Sequence, residues 1–133
     1  MPDSTNPADW YTKVAEQLGA AEKLLSDFPV QALIHTQQAA EMLLKGRLLE
    51  AGHSLERTHS VEYLQKQLVR RGIAFSALSD PALLDASYFD ARYPASGYVA
   101  PSHTEITSAL MEVKMLATSL APAHFPPPAS SAH

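Results

Sequence analysis

The chain has 133 residues, 46% of them hydrophobic and 18% charged, and no cysteine. That size predicts one domain with a core of its own, and the lack of cysteine excludes thiolate catalysis, zinc–cysteine sites and disulfide scaffolds. A net charge of −4 disfavours a general nucleic-acid coat, which needs a basic face; with no apolar run near the roughly 18–20 residues that cross a bilayer and a polar Met1–Ala8, the expected compartment is the cytoplasm, away from membranes.

The first helix is signposted by Asn6 as a cap, Pro7 at the first helical position and Asp9 in the first turn. Val14, Leu18, Ala21 and Leu25 follow as a stripe with helical spacing, with Trp10 and Tyr11 closing the end of the bundle and a stop near Ser26–Asp27. The second helix, about Pro29 to Ala51, is the longest. It buries Leu33, Ile34, Ala40, Leu44 and Leu48 and ends at Gly52. A third helix runs from about Ser60 to Arg71, turns Val61, Leu64 and Leu68 inward, and stops at Gly72.

Asp80–Pro81 starts a short fourth helix carrying Leu83, Leu84 and Tyr88 to about Phe89–Ala91, and Tyr93 to Tyr98 reads as a loop. Ser102 and Glu105 form a capping box for the last long helix, whose inward stripe is Ile106, Ala109, Leu110, Val113, Leu116, Ala117 and Leu120. The predicted fold is all-α, an antiparallel up-and-down bundle of four long helices plus one short helix. Residues 1–120 are expected to form the bundle, and residues 121–133 a disordered tail rich in proline and alanine.

The second helix departs from its apolar pattern in the middle. Gln37, Glu41 and Lys45 are four apart and share one side of the helix, and Gln38 neighbours the same strip. Such a strip is either a surface Glu41–Lys45 ion pair beside two seam glutamines, or a polar pocket or dimer seam. Buried polar groups need partners, at about 1–3 kcal/mol for each one left without. The histidines offer no metal site by spacing, since His35, His59 and His103 form no Glu-x-x-His or His-x-x-x-His pair. No cofactor is expected.

The string Gln37-Gln38-Ala39-Ala40-Glu41, with Leu44-Lys45 after it, resembles the glutamine–alanine–glutamate–lysine signature of the HEPN family. Thr58-His59 before the third helix is similar to the family's threonine–histidine element, and Arg92-Tyr93-Pro94 after the short helix to its arginine–tyrosine element. The resemblance covers about Ala8 to Leu120. It implies a helical bundle of about five helices, commonly a homodimer, often partnered with a minimal nucleotidyltransferase in a toxin–antitoxin arrangement. It also implies a nucleotide or RNA as ligand.

Gln38, Glu41, Lys45, His59, Arg92 and Tyr93 are the ligand-binding candidates: Arg offers a fork for phosphate oxygens, Lys a point charge and Tyr a ring for a base. The helix starting near Ser102 adds a positive dipole end. A structural alternative pairs Arg92 with Glu41 and leaves Tyr93 as end-packing. The ribonuclease branch of the family places a histidine four to six residues after the arginine, at the start of the last long helix. Here no histidine follows Arg92 until His103, and Arg47 and His53 keep the spacing only at the end of the second helix. Two alternatives to nucleotide binding remain: a ribonuclease whose longer loop returns His103 to Arg92 as the catalytic pair, and a non-catalytic protein-interaction module.

Overall fold

The computed structural model describes residues 2–94 and 96–128, and among them the chain is helical, with no strand. The helices are α1 (Pro7–Leu24), α2 (Pro29–Glu50), α3 (Val61–Arg70), α4 (Pro81–Asp90) and α5 (His103–Leu120). No helix among the described residues is long and apolar enough to cross a membrane.

The helix ends follow from local chemistry. Asn6 Oδ1 accepts the Ala8 amide at 3.1 Å, and Ser102 and Glu105 complete their reciprocal box at 3.1 and 2.9 Å. Gly52 and Gly72 take left-handed φ values of 86° and 73°. Each lets the next amide turn back, His53 to the Leu48 carbonyl and Ile73 to that of Leu68, the six-to-one closure that ends a helix on a glycine.

Helix α2 is the axis of the core and touches each of the other four helices. Leu33, Ala39, Ala40, Leu43 and Leu44 are fully buried along it. Helix α1 lies along α2 in the opposite sense: Tyr11, near its start, donates a 2.7 Å hydrogen bond to Glu50 at the end of α2, while Gln17 meets His35 at 2.6 Å. They come close at Gly46, where an added Cβ would lie 3.0 Å from both Trp10 Cβ and Tyr11 Cε1. Helix α5 opposes α1, joined by Lys114–Glu22 at 2.7 Å.

Two expectations about the bundle are corrected. Helix α3 is not a long arm: α3 and α4 have 10 residues each, against 18, 22 and 18 for α1, α2 and α5. Nor does the bundle alternate up and down throughout. His59, ahead of α3, bonds Glu41 in mid-α2, and Arg71, at the end of α3, bonds the Ala51 carbonyl past the end of α2. Residues 51–60 therefore return along the bundle as a non-helical segment, and α3 runs in the same sense as α2. Helix α4 then opposes α3: Asp85 meets the start of α3, while Leu78, ahead of α4, bonds Gln65 farther along it.

Composition suggests a disordered tail from Ala121, but residues 121–128 lie against the bundle. Ala121 is buried, the His124 ring lies 4.8 Å from that of Tyr11, and Phe125 meets the same ring edge-on at 6.3 Å. Tyr11, already held by Glu50, supplies an anchor that His124 and Phe125 cover. The rest of that expectation, residues 129–133 with His133, lies outside the described residues.

The Gly46 contact gives a signed prediction. Helix propensity favours alanine over glycine by about 0.5–1 kcal/mol, but Tyr11 is pinned and Trp10 Cβ moves only with α1. Overpacking of about 1–3 kcal/mol should therefore win, and Gly46→Ala should lose roughly 1–2 kcal/mol in urea unfolding. Gly19→Ala, with open space around its Cβ, should gain about 0.5–1 kcal/mol.

Burial, then the Glu50 hydrogen bond, push the Tyr11 phenol well above its ordinary value. Its folded pKa exceeds the unfolded one, so its contribution is complete below about pH 10 and is lost as pH rises further. Tyr11→Phe should flatten the alkaline limb of the stability profile; an unchanged limb would show that Tyr11 does not set it.

Candidate functional site

The polar strip of α2 is turned towards the start of α3 and the end of α4. Glu41 is its centre. Its Oε1 accepts from Gln37 Nε2 at 3.1 Å, its Oε2 from Lys45 Nζ at 2.9 Å, and His59 Nδ1 reaches both oxygens at 3.1 and 3.3 Å. The Lys45 and Glu41 side chains are only 10% and 13% exposed, so this is a largely buried pair and not the surface pair of the simpler expectation. Buried charges persist when paired and hydrogen-bonded on all sides, and Glu41 has three partners. Gln37, fully buried, adds a 3.4 Å bond from Nε2 to the His59 carbonyl.

A carboxylate accepts and does not donate, so His59 meets Glu41 with its Nδ1–H and its Nε2 is left unbonded. The imidazole is flat against the Tyr88 ring, with centroids 4.1 Å apart and planes 14° from parallel. The Arg92 guanidinium carbon lies 4.7 Å from the centroid of that same ring, a cation–π distance. Arg92 Nη2 donates to Gln37 Oε1 at 3.3 Å, and Arg92 Nε is buried without an acceptor among the described residues. Gln38, Glu41, Met42, His59, Tyr88 and Arg92 together line a cavity of about 240 Å³.

Helix α4 and α3 position this cluster for each other. Asp85 on α4 takes the Val61 amide at 2.6 Å, the Glu62 amide at 3.2 Å and the Ser60 hydroxyl at 2.9 Å. A carboxylate on the first amides of a helix satisfies orphan donors and favours the dipole. It also fixes where His59, two residues before α3, comes to lie. Asp85, Tyr88 and Arg92 are spaced three and four apart, so one face of α4 and its extension carries the clamp, the stacking ring and the cation.

Four of the candidates from sequence, Gln38, Glu41, His59 and Arg92, line one cavity. Lys45 belongs beneath it, bound to Glu41, and does not line it. Arg92 bonds Gln37 instead of pairing with Glu41 as the structural alternative had it. Tyr93 is 71% exposed and lines no part of the cavity; neither is it end-packing, and the aromatic ring of the site is Tyr88. His103 is exposed at the first position of α5, its ring 3.5 Å from the Thr107 hydroxyl, and it shares neither cavity nor hydrogen bond with Arg92. Arg71 engages His53 at 2.6 Å, so His53 serves the end of α3. Tyr88, Asp85 and Met42 were missed; the three-and-four spacing of Asp85, Tyr88 and Arg92 was the signal for the first two.

A family model for the HEPN domain matches residues 8–120, and the chain belongs to that family. No curated protein and no solved structure matches it.

Removing Lys45 should expose the dependence of this floor on charge balance. Lys45→Met leaves a largely buried carboxylate short of its cation and should cost about 3 kcal/mol. If the pair is coupled, Glu41→Gln with Lys45→Met should cost less than the two single changes added together, as read by urea unfolding in a double-mutant cycle. Simple additivity would show that each residue acts without the other.

Proposed function

Because the chain is an HEPN domain, we propose that it binds a nucleotide or RNA by its phosphate at the cavity between α2, the start of α3 and the end of α4. In this reading Arg92 is the phosphate ligand, Gln38 and His59 supply further polar contacts, and Glu41 with Lys45 forms the rigid floor. Tyr93, exposed beside Arg92 in the chain, offers a ring on which a base can stack outside the cavity. The observation that carries the reading is Arg92: it lines the cavity, is held there by a cation–π contact, and among the described residues its guanidinium makes one hydrogen bond, from Nη2 to Gln37. A structural arginine is normally satisfied on all sides. One held rigid with donors to spare suits a phosphate.

The same proposal places the protein in the cytoplasm as a homodimer working with a minimal nucleotidyltransferase, in a toxin–antitoxin-like pair. The family resemblance supports that part. Exposed Phe89 near the end of α4, with Tyr93 and Val99 after it, gives it apolar surface for a protein contact. The ribonuclease alternative resting on Arg92 with His103 draws no support from the geometry, which keeps His103 out of the cavity.

A different feature favours the interaction-module alternative. A larger groove of about 850 Å³ between α1, α5 and the C-terminal residues is lined by Leu18, Met111, Met115 and Phe125. Methionine-rich surfaces adapt to protein partners.

Thermal denaturation against a panel of nucleotides and short RNAs separates these readings. A ligand at 100 times its dissociation constant should stabilise by about 2.7 kcal/mol, which raises the melting temperature by several degrees. That shift should vanish in Arg92→Ala and persist in Met115→Ala. No shift with any nucleotide or RNA would overturn nucleotide binding and leave the groove as the functional surface.

A further inference from the structure

Which phosphate the cavity takes can be argued from its charge and size, given the nucleotide or RNA reading above. Glu41 and Lys45 cancel through their 2.9 Å contact. What faces the cavity is then Arg92 and the His59 ring, with the neutral groups Gln38, Tyr88 and Met42 completing the wall. The charged and titratable groups around His59 are Glu41 from α2, with Lys45 behind it, Tyr88 from α4, and Arg92 beyond it. Asp85 of α4 lies on the first amides of α3 close by and is fully engaged there.

With Nδ1–H committed to Glu41, a proton taken up by His59 sits on Nε2. The ring then donates on both sides, to Glu41 and to an incoming anion. In that state Arg92 and His59 carry two uncompensated positive charges. An internal phosphodiester brings one negative charge, whereas a terminal phosphomonoester brings about 1.5–2 near neutral pH and three free acceptor oxygens. The monoester matches the site in charge, and its oxygens match the Arg92 fork, the imidazole and the Gln38 amide. Size agrees: about 240 Å³ is below the roughly 300–1,000 Å³ usual for whole drug-sized ligands, so a phosphate with part of its sugar enters and the base remains outside.

We infer that the cavity reads phosphorylated ends: it binds the terminal phosphomonoester of a nucleotide or RNA in preference to an internal phosphodiester, and His59 takes up a proton as the phosphate enters.

The test is isothermal titration of the full chain with short RNAs of one sequence carrying a 5′-phosphate, a 3′-phosphate or only hydroxyl ends, and with AMP and adenosine. Each titration is run in two buffers of different ionisation enthalpy. The expected result is that at least one phosphorylated end binds about tenfold or more tighter than the hydroxyl-ended RNA, the size of one charge-assisted hydrogen bond, with net proton uptake. AMP binding as tightly as the phosphorylated RNA would identify a mononucleotide source, and a clear preference for the RNA would identify an RNA end. His59→Gln, whose amide keeps a donor for Glu41, should remain folded, lose the proton uptake and narrow the preference for phosphorylated ends. Equal affinity for phosphorylated and hydroxyl-ended RNA would overturn this inference while leaving nucleotide or RNA binding intact. No binding by any probe would overturn both.

Discussion

The largely buried carboxylate of Glu41 is the constraint on which the cavity-bearing end of this bundle depends. An ionised group so little exposed must be met by donors, since its desolvation otherwise costs several kcal/mol. One donor, Lys45, comes from the next turn of α2, and another, Gln37, from the turn before. The third, His59, comes from 18 residues away, at the far end of a returning loop. Satisfying one carboxylate thus joins the middle of α2 to the entry of α3. Tyr88, lying on His59, and Arg92, over Tyr88 and bonded to Gln37, extend the same network to the end of α4.

The return of residues 51–60 makes this possible. A tight turn after Gly52 would have sent α3 back antiparallel to α2 and set His59 near the C-terminal end of α2, remote from Glu41. Because the segment runs back first, α3 begins beside Glu41 and travels with α2. Asp85 then fixes the point of entry by taking two backbone amides and the Ser60 hydroxyl. At the other end, Gly46 lets α1 approach α2 closely, and the Tyr11–Glu50 bond with His124 and Phe125 closes it.

Much of this was legible in the sequence where the determinants are local. The caps at Asn6, Asp80 and Ser102, the prolines at first helical positions and the glycine stops at Gly52 and Gly72 place the starts of α1, α2, α4 and α5 and the ends of α2 and α3 within a residue or two. The strip on α2 was legible as polar groups on one side, because i to i+4 spacing holds in any helix. What escaped depends on partners distant in the chain. The sense of α3 is set by Asp85 and Glu41 acting on a loop whose composition says only that it is a loop. The exchange of Tyr93 for Tyr88 as the ring of the site has the same origin: adjacency to Arg92 in sequence suggested Tyr93, but α4 ends at Asp90, and it is Tyr88 that lies on the face of α4 shared with Asp85 and Arg92. Residues 121–128 read as disordered because proline and alanine dominate, whereas the Tyr11 ring, more than a hundred positions earlier, supplies what His124 and Phe125 cover.

The arrangement divides labour between depth and exposure. Lys45, Gln37 and Glu41 are buried and held on several sides, so their geometry is set by folding and cannot be repacked without loss of stability. His59 is exposed, and Arg92 is only partly covered. A recognition site gains affinity when its rigid part is ordered before the ligand arrives, because less side-chain freedom remains to be lost on binding. Here the ordering is done by a carboxylate that does not itself favour an anion. Its presence beside the proposed anion site is explained by Lys45, which neutralises it, and by His59, which uses it as an anchor, leaving the cationic character of the rim to Arg92 and to the imidazole that Glu41 orients.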